Sequence, residues 1–193
     1  MPPIRRSTAA NTLRIIGGRW RGRKLSFPAL DGLRPTGDRW RETLFNWLAA
    51  DIPGARCLDL FAGAGALGLE ALSRGAAEVL MIDRQPAAVD RLRRHLRDLD
   101  AANGRVLQAD ALAWLQGTGR DCTPYDVVFV DPPFAAALWA DTITALSEAE
   151  LVAAGGAVYI EAPVDFTRPV PPDWHLHREK SAGNVCFRLY YRQ

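Results

Sequence analysis

The segment Cys57-Leu-Asp59-Leu-Phe61-Ala-Gly63-Ala-Gly65-Ala-Leu-Gly68 constrains this chain more than any other. A short apolar run ends in an acid, turns through three glycines and enters a helix-forming stretch, which is a strand, glycine turn and helix in succession. Gly63 and Gly65 permit close backbone approach to a ligand, and Gly68 permits tight contact between helix and strand. The G-x-G-x-x-G spacing alone points to a dinucleotide. Asp59 argues otherwise: a carboxylate at the loop entrance repels a pyrophosphate and suits a ligand carrying an ammonium or a sulfonium. A tight turn without a ligand is the plainer alternative.

Around this unit the pattern alternates. Strands are predicted at 56–61, 78–83, 106–108, 126–130 and 157–161. Helices are predicted at 66–74, 86–99 and 135–151, with another beginning at 111–115. Two late strands, 174–179 and 185–191, flank the turn Ser181-Ala182-Gly183-Asn184. The expected fold is α/β, a doubly wound Rossmann-like sheet with a C-terminal antiparallel hairpin. Upstream, residues 1–12 read as disordered. Segments 13–17 and 23–27 read as a small basic hairpin set apart from the main core, and 28–35 as loop. Thr36 or Asp38 is placed to cap a helix over 39–49. The expected division is therefore 1–35, a basic tail and hairpin, and 36–193, a catalytic domain. At 193 residues the chain is long enough to build its core without disulfide or metal staples.

The strand ends carry acids. Asp83, at the end of the second strand, suits the two hydroxyls of an adenosine ribose; a merely solvated carboxylate is the alternative. Asp110 reads either as a helix cap or as part of a loop holding an adenine edge. The fourth strand ends in Asp131-Pro132-Pro133-Phe134. The two prolines fix the backbone so that carbonyls face the crevice, Asp131 accepts hydrogen bonds, and Phe134 offers a flat face. Together they describe a site for a planar ring with an exocyclic amine.

Charge is distributed unevenly. Residues 1–41 carry ten Lys/Arg and two acids, a surplus of eight, whereas the other 152 residues carry a deficit of six, which recovers the net charge of +2. A basic segment on an acidic body suits a polyanion. Trp20 and Phe27, interleaved with Arg14, Arg19, Arg21, Arg23 and Lys24, suggest stacking on bases as well as phosphate contact. A solvated basic arm without a partner is the alternative. Cys57, Cys122 and Cys186 are far apart, so neither structural zinc nor a disulfide framework is expected. The chain has no run of 18 apolar residues and no apolar segment behind Arg5 and Arg6. These features lead to an expectation of a cytoplasmic, metal-free monomer.

The segments RIIGGRWRGRKL (14–25), LRPTGDRWRETLFNWL (33–48), CLDLFAGAGALGLEALSRGA (57–76), VFVDPPF (128–134) and LHREKSAGNVCFRLY (176–190) resemble the bacterial RsmD family within the class I S-adenosylmethionine-dependent methyltransferases. That resemblance covers roughly 13–191. It implies methyl transfer from S-adenosylmethionine to the exocyclic N2 amine of the guanine at position 966 of 16S ribosomal RNA, in assembled or partly assembled small subunits. It also implies cofactor-binding roles for Asp59, Phe61, Gly63, Gly65, Gly68, Asp83, Asp110 and Thr36. The catalytic set would be Asp131, Pro132, Pro133 and Phe134, and the RNA-contacting set Arg14, Arg19, Arg21, Arg23, Lys24, Arg34 and Arg39. The family often carries a glutamate where this chain has Met81. Three other readings remain open at this level: an adenine-N6 methyltransferase, a non-catalytic RNA-binding or assembly protein, and a nicotinamide-dependent oxidoreductase. The last is disfavoured by Asp59 and the Asp131 tetrapeptide.

Overall fold

The structure, a computed structural model, describes residues 11–27 and 37–193. Its first elements are β1 (Asn11–Arg14) and β2 (Lys24–Phe27), paired antiparallel with Leu13 opposite Leu25. The β/α alternation then follows as α1 (Asp38–Trp47), β3 (Arg56–Asp59), α2 (Gly68–Ser73), β4 (Glu78–Asp83), α3 (Pro86–Asp98), β5 (Gly104–Gln108) and α4 (Ala111–Gln116). The chain continues through β6 (Tyr125–Val130), α5 (Trp139–Glu148), β7 (Val152–Pro163), β8 (Trp174–Ala182) and β9 (Val185–Arg192). Pro86 opens α3, where its missing N–H costs nothing.

Seven strands form one sheet in the order β5-β4-β3-β6-β7-β9-β8, with every pairing parallel except the two made by β9, which runs antiparallel to β7 and β8. The buried strands β3 and β6 are apolar on both faces because helices cover both. Cys57, Met81, Phe129 and Tyr159 face one core with residues of α1, α2 and α3. Leu58, Ile82, Val128 and Ile160 face the other with α4 and α5. The strand order reverses between β3 and β6, which opens a crevice at their carboxyl ends.

The doubly wound sheet and its antiparallel C-terminal hairpin are as expected. Three local expectations are corrected. The basic hairpin is part of the main core: Leu13, Ile15, Trp20, Leu25 and Phe27 are buried in the same cluster as α1, α2 and α3. Asn11 and Thr12, expected to be disordered, pair with Phe27 and Ser26, while residues 1–10 and 28–36, which hold the rest of the expected disordered segment and the expected loop, lie outside the described residues. The helix expected over 135–151 is broken. A short 3-10 turn, Phe134–Ala136, ends at Ala137 in the left-handed region (φ 49), and α5 begins only at Trp139. The reason is tertiary: the Trp139 indole donates to the Glu161 carbonyl at 2.6 Å, which fixes where α5 can start.

Candidate active site

The loop between β3 and α2 is held from below. Asp59, 2% exposed, accepts a hydrogen bond from the Gly68 amide at 3.0 Å through Oδ2. Burial pushes its carboxyl up to about 7, against the lowering effect of the amides of Gly68 and Phe61. One of its oxygens thus supports the loop backbone from beneath, at the strand end where the sequence placed it beside a ligand. Gly68 has no room for a side chain, since a Cβ would lie 2.6 Å from Met81 Cγ and 3.2 Å from Asp59 Oδ2. Gly65 is confined by protein as well: a Cβ would lie 2.5 Å from Leu92 Cδ2 and 2.7 Å from Leu69 Cδ1. Its missing side chain serves helix packing.

Above this layer lies a cleft of about 510 Å³ at the carboxyl ends of β3, β4, β5 and β6. Phe61, Gly63, Asp83, Asp110 and Pro133, all singled out from sequence, line it together. Gly63, in the left-handed region at φ 51, donates its amide to Asp83 Oδ2 at 2.8 Å. The other Asp83 oxygen accepts from the Gln85 amide at 2.7 Å. Asp83 therefore ties two loops together at the cleft floor. Met81 is fully buried against Gly68 and does not reach the cleft. Asp110 both caps α4, accepting from the Ala113 amide at 3.1 Å, and lines the cleft. Sequence reasoning missed the other lining residues: Leu60, Arg84, Gln85, Ala88, Ala109, Ala111, Ala135, Ala136 and Leu138. Their signal was adjacency, since each lies within a few residues of an acid at a strand end or of the proline pair.

The second wall is the turn after β6. Pro132 is buried, Asp131 partly so, and Phe134 is 44% exposed, edge-on to Trp139 with ring centroids 5.4 Å apart. Burial first, then the neighbouring carboxyls of Glu161 and Asp59, hold the Asp131 carboxyl well above the usual range. The arrangement offers hydrogen-bond acceptors and an aromatic face beside a cleft with carboxylates on its floor.

The expected RNA-contacting residues form a separate group. Arg14, Arg19, Arg21, Arg23, Lys24 and Arg39 are exposed, whereas Arg34 and Thr36 lie outside the described residues. Trp20 and Phe27 are buried at 7% and 3% exposure, so the expected base-stacking role of these rings is corrected. The hairpin turn is clamped to α2. Glu70 accepts from the amides of Ile16 and Gly17 at 2.8 Å each, and Ser73 donates to the Gly17 carbonyl at 2.6 Å. Arg41 joins the same knot, donating to the Arg14 carbonyl at 2.8 Å and lying 3.8 Å from Glu70. Among the described residues no cluster of three or more His, Cys, Asp or Glu is arranged to hold a metal, and no helix is long and apolar enough to cross a membrane.

The profile of a family described as conserved hypothetical protein 95 matches residues 13–191. Ribosomal RNA small subunit methyltransferase D of Escherichia coli K12 is 50% identical over 187 residues, spanning 96% of this chain and 93% of that protein. The protein of the same name from Haemophilus influenzae is 40% identical over 192 residues, spanning 98% and 99%. A solved Escherichia coli structure superposes with a TM-score of 0.86 at 50% identity, covering 95% of this chain and 99% of that one.

Proposed function

The chain belongs to the family described as conserved hypothetical protein 95, the RsmD family, and from that premise we propose that it methylates the exocyclic N2 amine of a guanine in 16S ribosomal RNA, using S-adenosylmethionine. The observation that carries this reading is the pairing of the Asp131–Phe134 turn with the cleft at the β3/β6 reversal point. One side holds acceptors for an amine, the other has room for a nucleoside-sized ligand.

The cleft suits the cofactor. Leu60, Phe61, Ala88 and Leu138 supply apolar walls for a purine, and Asp83 and Asp110 supply acceptors for hydroxyls or an ammonium. When bound, S-adenosylmethionine supplies an electrophilic methyl group. The remaining work falls to the protein. A guanine amine is a weak nucleophile because its lone pair delocalises into the ring. The Pro132 carbonyl and an Asp131 oxygen accept its hydrogens and turn the lone pair toward the cleft, while Phe134 covers the ring. This is catalysis by orientation and fixed dipoles, with no covalent intermediate on the enzyme. The exposed arginines of the hairpin hold RNA phosphates. The substrate is the small subunit or its assembly intermediate in the cytoplasm, met by a monomer.

The test is single-turnover methyl transfer to small subunits lacking the modification, with mass mapping of the product. Asp131→Ala should lower the rate on the order of 10²-fold or more with little change in subunit binding. Asp131→Asn, which keeps an acceptor oxygen, should retain part of the activity. Wild-type rates in the alanine variant would remove the amine site from this turn. Methyl transfer to adenine instead would replace the substrate.

A further inference from the structure

Glu161 stands beside the catalytic turn and has no part in the mechanism above. Val130 of β6 and Ile160 of β7 are partners in parallel register, so the next residues, Asp131 and Glu161, are neighbours at the carboxyl edge of the sheet. Glu161 is 8% exposed, and its Oε2 accepts the Tyr159 hydroxyl at 3.1 Å. Its backbone carbonyl anchors the Trp139 indole, whose ring in turn braces Phe134. The same residue thus sits next to the acceptor carboxyl and ties down the wall behind the aromatic face.

Resting on the methyl-transfer reading, we infer that Glu161 acts through Asp131: the two carboxyls form one pair that takes up the single proton released by the target amine. The balance is simple. The nitrogen lone pair closes the N–C bond, the electrons of the breaking C–S bond stay on sulfur, and the nitrogen then sheds one proton to the pair. Two carboxylates side by side in a poorly solvated site bind a first proton more tightly than either would alone, because the proton removes their repulsion. The raised affinity of Asp131, caused by burial, Glu161 and then Asp59, has the sign this requires. Among the described residues, the other groups facing the pair do not reverse it. Tyr159 is itself pushed upward by burial and by both carboxyls, with a smaller push from Cys186. Lys180, at the β8 end of the row that runs from Glu161 through Phe187, is held over the Trp40 ring at 4.9 Å. Glu161 is accordingly a positioning residue for proton transfer.

Glu161→Gln keeps the size of the side chain and an acceptor for the Tyr159 hydroxyl, and removes the charge. The first measurement needs neither RNA nor methyl donor: a carboxyl ¹³C NMR titration of the free protein, with Asp131 assigned by its loss in Asp131→Asn. The Asp131 midpoint should fall by about one pH unit or more in Glu161→Gln and stay near wild type in Glu161→Asp. In single-turnover transfer to unmodified small subunits, the pH limb should move to lower pH by the same amount. The plateau rate should drop about tenfold with KM for subunits unchanged. An unchanged Asp131 midpoint, or an unchanged pH limb with wild-type transfer intact, overturns the pair alone. If the wild type transfers no methyl group to subunits, the functional reading falls, and the proton-accepting role falls with it.

Discussion

Asp59 sits where a negative charge is costly, and that cost has a sign that can be measured. In an unfolded chain its carboxyl titrates near the ordinary value of about 3.9. In the folded protein burial raises it to about 7. The folded state therefore binds the proton more tightly. The stability this contributes is fully present below about pH 4, declines through the interval, and is lost as pH rises past 7. Asp59→Asn keeps an acceptor for the Gly68 amide and removes the titration. Urea unfolding should show the variant gaining on wild type between pH 5 and pH 8, on the order of 2–3 kcal/mol. Equal changes in both proteins over that range would mean that Asp59 is ionised throughout.

Among the elements, the hairpin and α2 depend on each other most. A helix of six residues is too short to stand alone, and α2 is buried along its whole length. The β1–β2 turn covers it, with Glu70 satisfying two of the turn's amides and also accepting from Arg74 Nε at 2.7 Å. Gly18 passes so close to the Ser73 carbonyl, at φ +74, that a methyl group there would collide with it. Glu70→Ala leaves the Arg41 guanidinium in the core without this carboxylate and should cost about 3–5 kcal/mol. Hydrogen exchange should rise first at Ile16 and Gly17, since their acceptor is gone. Gly18→Ala should release the turn by a different route and raise exchange at Arg19 and Trp20, whose amides bond to the Ser73 carbonyl and hydroxyl at 2.6 and 3.0 Å. Undisturbed exchange in both variants would show that the hairpin holds itself.

At the scale of the molecule, α3 measures the distance between the cleft and the arginine turn. Gln85 and Ala88 at its start line the cleft, while Asp98, Leu99 and Asp100 at its end share a groove with Arg19, Arg21 and Arg23. Thirteen residues of helix span about 20 Å. The arginine turn therefore lies at the far end of α3 from the cleft, and an RNA held by both must span that length. Replacing Arg19, Arg21 and Arg23 together should weaken subunit binding and flatten its salt dependence by roughly one unit of slope per lost phosphate contact. Transfer to a short oligonucleotide carrying only the target loop should be slow in both proteins and hardly altered by the substitutions. Calorimetric affinity for S-adenosylmethionine should be unchanged. Equal salt slopes for the two proteins on whole subunits would move the RNA surface elsewhere.

The order of strands and helices, the glycine turn and the Asp131 tetrapeptide were all legible in the sequence, because each is written in neighbouring residues. Apolar periodicity, Pro86 at a helix start and two prolines after a strand act through local backbone chemistry. Five predicted cleft residues, Phe61, Gly63, Asp83, Asp110 and Pro133, converge because a parallel sheet gathers its strand ends at one edge. What the tertiary structure alone decided lies in contacts between distant residues. Glu70 and Arg41 read as ordinary charges on helices, and only the arrival of a turn more than fifty positions away from Glu70 makes that residue a buried clamp. Trp20 reads as a ring waiting for a base, yet it fills the core because α2 leaves a face to cover. Asp59 reads as a ligand group, and packing also makes it a buried support for the Gly68 amide, a role no local pattern announces. Glu161 carries no sequence signal at all; its place beside Asp131 is set by the register of two strands thirty residues apart. Local pattern determines which elements form, whereas burial, and with it the charge state and role of each polar side chain, is settled only when the elements pack.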